Sequence, residues 1–220
     1  LIKLQQQRNL TYVLISHNHY DHLDRPTVKR IARRFPAAHF LVPLGMADWC
    51  RRRGVRTVTE LDWWQQVHLD DISFTAVPAR HWSMRTFWDR NRSLWCGWVV
   101  RNAQLNFWFS GDSGYSDNLS AIAQRLGPFN LAALPIGAYA PKWFMRGQHM
   151  DPDQAVQLWQ QIGRPLAIPI HWGVFELADE SLDAPPLELA QAMQVAGLKA
   201  ERFQAWEIGA RQELNIISQD

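Results

Sequence analysis

Residues 12–22 have the sequence Tyr12-Val13-Leu14-Ile15-Ser16-His17-Asn18-His19-Tyr20-Asp21-His22. The apolar part predicts a buried strand, and the polar part follows where the chain leaves the sheet. Imidazole nitrogens and carboxylate oxygens are the ligands that Zn²⁺ and its neighbouring transition metals prefer. Because side chains alternate along extended backbone, His17 and His19 should point the same way, while Asp21 and His22 can serve a second metal. Four potential ligands this close together favour a metal site over a polar loop with surface histidines.

Three further candidate ligands each follow a predicted strand, namely His81, Asp112 and His171. Loops at one edge of a sheet can bring together side chains that are distant in sequence. For each residue alone a structural polar role is the alternative, but the set favours a dinuclear metal site. The assignment gives one metal to His17, His19 and His81, the other to Asp21, His22 and His171, and makes Asp112 the bridge. Such a set leaves a shared position for a bridging hydroxide, as catalytic metal sites do.

Length and composition are those of an ordinary globular enzyme. With 220 residues, of which 47% are apolar and 20% charged, the chain can bury a sizeable core, and one domain over residues 1–220 is expected. Cys50 and Cys96 lie far apart, which suggests neither a disulfide framework nor a zinc knuckle and fits a reducing compartment. No apolar run approaches a transmembrane length and no signal peptide is visible, but the chain begins at Leu1 rather than Met, so a preceding segment could have carried either.

The charge distribution excludes one class of partner and leaves another open. A net charge of +2 offers no global attraction for nucleic acid, so no nucleic-acid partner is expected. Basic residues cluster at positions 29–34 and 51–53, where a solvated helix face is the favoured interpretation and attraction to anionic phospholipid headgroups the alternative. The twelve tryptophans fit either a tryptophan-rich core and pocket wall or a membrane interface.

Strand and helix patterns alternate along the chain, which predicts an α/β fold. The predicted strands are Tyr12–Ser16, His39–Val42, Val67–Leu69, Ile72–Val77, Leu94–Arg101, Gln104–Ser110, Leu131–Leu134 and Leu166–Ile170. The predicted helices are Pro26–Phe35, Met46–Arg53, Asn118–Leu126, Asp153–Ile162 and Pro186–Ala196, with Asp24 and Asp151 as caps. The two longest irregular segments are 78–93 and 135–150, and loops of that length in a compact domain are usually functional.

The whole ligand pattern resembles the metallo-β-lactamase superfamily, with His-x-His-x-Asp-His after a strand, a distal His, Gly-Asp-x-Gly and a final strand-end His. Longer stretches resemble its branch of N-acyl-phosphatidylethanolamine-hydrolysing phospholipases D. These stretches are Ser16–Asp24, Pro78–Trp82, Gly111–Tyr115, Gly127–Ala133 and Pro135–Pro152. The resemblance extends from about Leu14 to Pro186.

This resemblance implies an αβ/βα sandwich, with two sheets back to back, helices outside and a dinuclear site at one edge. It also implies two Zn²⁺ ions, or other divalent transition metals, and a phospholipid-type phosphodiester substrate. Tyr20 and His149 match positions that contact the substrate headgroup and phosphate. We therefore expect hydrolysis by a hydroxide bridging the two ions, with Asp21 and Asp112 orienting it. His149 would stabilise the phosphate or protonate the leaving oxygen.

The chain departs from the family at its amino terminus. Members usually have several strands before the first histidine motif, whereas eleven residues precede Tyr12 here. The domain is therefore expected to be incomplete at that end, with an exposed sheet edge. Two alternative functions stay open: another hydrolase of this fold such as a lactonase, and a truncated, non-catalytic metal-binding remnant or membrane scaffold. A cytoplasmic location, peripheral membrane contact through residues 143–145, and a homodimer are all compatible with the sequence.

Overall fold

Two β-sheets packed face to face, with helices on their outer faces, form the architecture in the computed structural model, which describes residues 7–211 and residue 213. The strands are β1 Tyr12–Leu14, β2 His39–Pro43, β3 Thr57–Leu61, β4 Gln66–Leu69, β5 Ile72–Val77, β6 Gly97–Arg101, β7 Asn106–Phe109, β8 Leu131–Pro135 and β9 Leu166–Ile170. The helices are α1 Arg25–Arg34, α2 Ala47–Arg51, α3 Asn118–Leu126, α4 Lys142–Met145, α5 Pro152–Gln161 and α6 Ala184–Val195. A 3₁₀ turn follows at Ala200–Arg202.

The first sheet contains three parallel strands in the order β1-β2-β3. Helices α1 and α2 cover its outer face, where Val28 and Ile31 pack with Cys50 in one apolar cluster. Helix α1 begins as expected, because the Asp24 carboxylate accepts a hydrogen bond from the Thr27 N–H at 2.8 Å.

The second sheet has six strands in sequential order, β4 to β9. The pairs β4–β5, β5–β6 and β6–β7 are antiparallel. The pairs β7–β8 and β8–β9 are parallel. The parallel pairs require crossover connections, and α3 and α5 provide them. These two helices and α6 pack on the outer face around a core that includes Trp108 and Trp159.

A third apolar cluster fills the space between the sheets and includes Leu41, Phe74 and Trp98. Trp98 is completely buried, and its indole N–H donates to the Ile15 carbonyl at 2.9 Å. This bond ties the second sheet to the backbone just before the histidine motif. The αβ/βα sandwich that the family resemblance implies is therefore confirmed.

Several predicted elements are shorter than expected by one to three residues at an end, and three larger departures have a structural reason. Strand β3 was not predicted, because Thr57–Leu61 is polar and only partly buried and forms through its pairing with β2. The predicted strand Leu94–Arg101 begins only at Gly97, since the Leu94 and Cys96 N–H groups donate to Leu44 and Ser16 of the first layer. The short helix α4 lies within the segment 135–150, which was expected to be irregular.

Strand β1 lies at the edge of its sheet among the residues that the structure describes. The predicted domain over 1–220 includes residues 1–6, 212 and 214–220, which lie outside the described residues. Its incompleteness at the amino terminus stays a prediction. In the described part of the chain, no helix is long and apolar enough to cross a membrane.

Candidate metal centre

All seven predicted ligands lie together at one edge of the sandwich, on loops that follow four different strands. The His17–His22 segment follows β1, His81 follows β5, Asp112 follows β7 and His171 follows β9. Their donor atoms form two sets, each with members within 4.8 Å of one another: His17, His19 and His81, and Asp21, His22, Asp112 and His171.

The first set is a cluster of three imidazoles. The Nε2 atom of His17 lies 2.9 Å from Nδ1 of His19, which in turn lies 3.2 Å from Nε2 of His81. Oδ2 of Asp112 lies 3.8 Å from both His17 Nε2 and His81 Nε2. Three imidazole nitrogens and one carboxylate oxygen therefore lie close together, at separations between 2.9 and 3.8 Å.

The second set contains two carboxylates and two imidazoles. His22 Nε2 lies 3.0 Å from both Asp21 Oδ2 and Asp112 Oδ2. His171 Nε2 lies 3.1 Å from Asp112 Oδ2 and 3.6 Å from Asp21 Oδ2. Oδ2 of Asp112 belongs to the second set and also faces His17 and His81 of the first. Its role as a bridging ligand stays a prediction.

These distances fit divalent metal ions. Ligand atoms at the bond lengths of tetrahedral zinc are about 3.3 Å apart, and the observed separations of neighbouring donors range from 2.9 to 3.8 Å around that value. Asp112 is 3% exposed, and among the described residues its Oδ1 atom has no hydrogen-bond partner. A buried carboxylate oxygen without a partner is costly, and a cation would remove that cost.

Hydrogen bonds behind the cluster hold two of the imidazoles in place. Nε2 of His17 faces the cluster, and its Nδ1 shares a hydrogen bond of 3.0 Å with the Ser16 hydroxyl. His81 likewise presents Nε2 and donates from Nδ1 to the Gln148 carbonyl at 3.0 Å. Such partners select the tautomer whose free nitrogen faces the metal position.

The electrostatics of the second set demand positive charge. Burial lowers the pKa of His22 and His171, but the hydrogen bonds and charges of Asp112 and Asp21 outweigh it and raise these values to about 9 and about 10. Burial dominates in the first set, where it lowers the pKa of His17 well below its usual value and that of His81 to about 4. The first set therefore offers neutral imidazole ligands, whereas the second adds two carboxylates whose negative charge suits a cation.

His149 and Tyr20, the two residues expected to contact substrate, have different surroundings. The buried His149 ring stacks on His171 with centroids 5.1 Å apart, and burial lowers its pKa to about 3. Tyr20 is 66% exposed, and its hydroxyl donates to the Arg85 carbonyl at 3.1 Å. His149 thus lies beside the donor cluster, whereas the Tyr20 hydroxyl already has a partner on the surface. The substrate contacts of both stay predictions.

A cavity of about 280 Å³ opens directly from the second donor set. One wall contains Asp21, His22, Asp112 and His171. The opposite wall is mainly apolar and comes from the segment after β9, including Val174, Phe175, Leu177 and Leu182. The arrangement can hold the polar part of a ligand at the donor cluster and an apolar part beside it.

Two residues that the sequence did not indicate support this edge of the molecule. Glu180 accepts hydrogen bonds from three consecutive backbone N–H groups, at Ala138, Tyr139 and Ala140. Arg85 donates to the carbonyl of Asn18, within the ligand segment, and to that of Leu23, directly after it. Both side chains bond to backbone groups that lie 40 or more positions away in the sequence. No local sequence pattern predicts contacts of this kind.

Comparison with known proteins agrees with the geometry. The family model described as a β-lactamase superfamily domain matches residues 2–172. The chain is 39% identical over 186 residues to N-acyl-phosphatidylethanolamine-hydrolyzing phospholipase D 1 of Caenorhabditis elegans, covering 80% of this chain and 52% of that protein. It is 31% identical over 204 residues to the mitochondrial enzyme of that name from Saccharomyces cerevisiae, covering 90% of this chain and 43% of that protein. The chain thus spans about half the length of these curated relatives.

Solved structures share the fold at low sequence identity. Igni18, a metallo hydrolase from Ignicoccus hospitalis, superposes with a TM-score of 0.65 at 22% identity, covering 89% of this chain and 75% of that one. An isothiocyanate hydrolase from Delia radicum gut bacteria gives a TM-score of 0.70 at 15% identity, with coverages of 92% and 76%. The chain therefore belongs to the metallo-β-lactamase superfamily and, within it, to the branch that resembles the N-acyl-phosphatidylethanolamine-hydrolysing phospholipases D.

Proposed function

We propose that this metal-dependent hydrolase cleaves a phospholipid-type phosphodiester. The observation that carries the proposal is the pair of donor sets sharing Asp112 Oδ2, beside a cavity with one polar and one apolar wall. A two-metal site of this kind suits the displacement of an alcohol from phosphorus. The similarity to two phospholipases D that act on N-acyl-phosphatidylethanolamine supports this substrate class.

The ligand assignment follows the two sets. His17, His19 and His81 would hold one Zn²⁺, Asp21, His22 and His171 the other, and Asp112 both. When bound, the two ions supply Lewis acidity and lower the pKa of water, so that a nucleophile exists at neutral pH. Other divalent transition metals suit the same nitrogen and oxygen donors.

The side chains then perform the remaining tasks. Asp21 and Asp112 orient the attacking water by accepting its hydrogen bonds, and attack proceeds in line with the departing alcohol. His149 lies next to His171, and because burial lowers its pKa to about 3, its neutral ring would act by donating a hydrogen bond to a phosphate oxygen rather than a proton to the leaving oxygen. Water and an N-acyl-phosphatidylethanolamine would give a phosphatidic acid and an N-acylethanolamine. Tyr20 would contact the headgroup once its hydroxyl leaves the Arg85 carbonyl.

The test begins with metal analysis of the purified chain, followed on the same sample by cleavage of bis-p-nitrophenyl phosphate before and after chelation. Two zinc equivalents and chelator-sensitive diester cleavage are expected. Faster cleavage of an acyl lactone than of the diester would favour the lactonase alternative. Stoichiometric metal without turnover of either ester would favour the non-catalytic remnant.

A further inference from the structure

Helix α1 presents an unusually cationic face. Its sequence contains Arg25, Lys29, Arg30, Arg33 and Arg34 and no acidic residue, and all five cations are exposed. Several lie four positions apart on the same side of the helix, as Arg25 and Lys29 do. Like charges at this spacing destabilise a helix, so the pattern is not one that folding itself favours.

The end of α2 extends this face. Residues 24–56 contain nine Lys or Arg and two Asp, a formal charge of +7 in a chain whose total is +2. The helices pack on one core, and the Cβ position of Gly54 lies 3.9 Å from Cβ of Ala32. The guanidinium groups of Arg53 and Arg85 lie over the same Trp49 ring, at 3.6 and 5.0 Å from its centroid, so these two cations are close together.

An exposed aromatic tip adjoins the cationic face. The Arg85 guanidinium lies over the Trp49 ring of α2 at 5.0 Å and donates to the Leu23 carbonyl just before α1 at 2.7 Å. Phe87 and Trp88 follow directly and are 92% and 82% exposed. The aromatic pair therefore projects from a loop that is attached to both cationic helices.

The same loop connects this surface to the candidate metal centre. Arg85 also donates to the carbonyl of Asn18, between two of the histidines, at 2.7 Å. One side chain, Arg85, therefore joins the cationic helices to the ligand segment.

We propose that the α1–α2 face and the Phe87–Trp88 tip dock this protein on an anionic phospholipid bilayer. Clustered Lys and Arg attract anionic headgroups, while Trp and Phe insert at the boundary between headgroups and acyl chains. The choice of a bilayer rather than a nucleic acid rests on the exposed aromatic pair and on the proposed function. Docking would deliver a membrane substrate to the centre.

The proposal is tested by sedimentation of the metal-loaded chain with vesicles of phosphatidylcholine alone or mixed equally with phosphatidylglycerol. We expect binding only to the anionic vesicles and its loss at high salt, because surface charges are screened. Lys29→Glu with Arg30→Glu should weaken binding at least about 25-fold, because each removed cation weakens binding to an anionic bilayer about fivefold. The double variant should remain folded, since each new carboxylate has cations four residues away.

Matched variants separate charge from insertion. Arg125→Glu with Lys199→Glu changes the net charge equally, but on the helical layer of the second sheet, and should leave vesicle binding within twofold. Phe87→Ser with Trp88→Ser should weaken binding while leaving its salt dependence intact.

Equal binding of the α1 variant and the unaltered chain would overturn the proposal, as would tighter binding to a DNA duplex than to anionic vesicles. Cleavage of the soluble diester should be unchanged in the α1 variant. Failure of docking therefore leaves diester cleavage intact, and failure of the proposed chemistry leaves vesicle binding intact.

Discussion

Replacing Glu180 by Gln is expected to loosen the wall of the cavity without removing any candidate ligand. Its carboxylate accepts backbone hydrogen bonds from Ala138 at 2.5 Å, Tyr139 at 3.2 Å and Ala140 at 2.9 Å. These residues begin the segment that leads through α4 to His149. The same segment packs on the backbone of His171, so Glu180 joins two parts of the candidate centre.

The magnitude follows from the three bonds. Each hydrogen bond to a charged acceptor contributes about 1.5–3 kcal/mol, whereas a neutral one contributes about 0.5–1.5 kcal/mol. The amide oxygen of Gln can replace part of the set, but its NH₂ group would face an N–H donor and leave it unpaired. We therefore expect Glu180→Gln to lower the free energy of unfolding by about 2–4 kcal/mol.

Urea unfolding followed by tryptophan fluorescence measures this change, and metal content and kcat complete the comparison. Because none of the proposed metal ligands is altered, metal content should stay unchanged while kcat falls with the misplacement of His149. Glu176→Gln in the same loop is the matched control, since this exposed side chain should change stability by less than about 0.5 kcal/mol. A stability of Glu180→Gln indistinguishable from that control would refute the reasoning.

Three further predictions concern the centre and the core. Asp112→Asn should lower diester turnover at least about 10³-fold and reduce bound metal, because the shared carboxylate charge is lost; full activity would contradict the mechanism. Gly137→Ala should destabilise the fold by about 1–3 kcal/mol and reduce bound metal, since the added Cβ would lie 2.1 Å from the His171 carbonyl oxygen; an unchanged unfolding curve would count against this packing. Burial raises the pKa of the Cys50 thiol to about 11 and that of Cys96 well above its usual value, so Ellman's reagent at pH 8 should label both only after unfolding.

Much of the fold was predictable because its determinants are local. Helix α3 and strand β9 have the predicted bounds, and Asp24 and Asp151 cap the expected helices through backbone groups three residues away. Strand β3 was missed for the opposite reason. Thr and Val favour strands, but Thr57–Leu61 contains too few apolar residues to mark a buried strand, and its position follows from hydrogen bonds to β2.

By itself, the sequence determined the types of donor and their positions at strand ends, because the histidine motif and the apolar runs before each donor are contiguous patterns. Only the tertiary structure decided that Asp112 Oδ2 faces both donor sets and that Glu180 accepts hydrogen bonds from the backbone of the loop before α4. It also decided that Arg85 links the cationic helices to the ligand segment. Such contacts join residues 40 or more positions apart, and the packing of the two sheets, rather than any local preference, sets their distances.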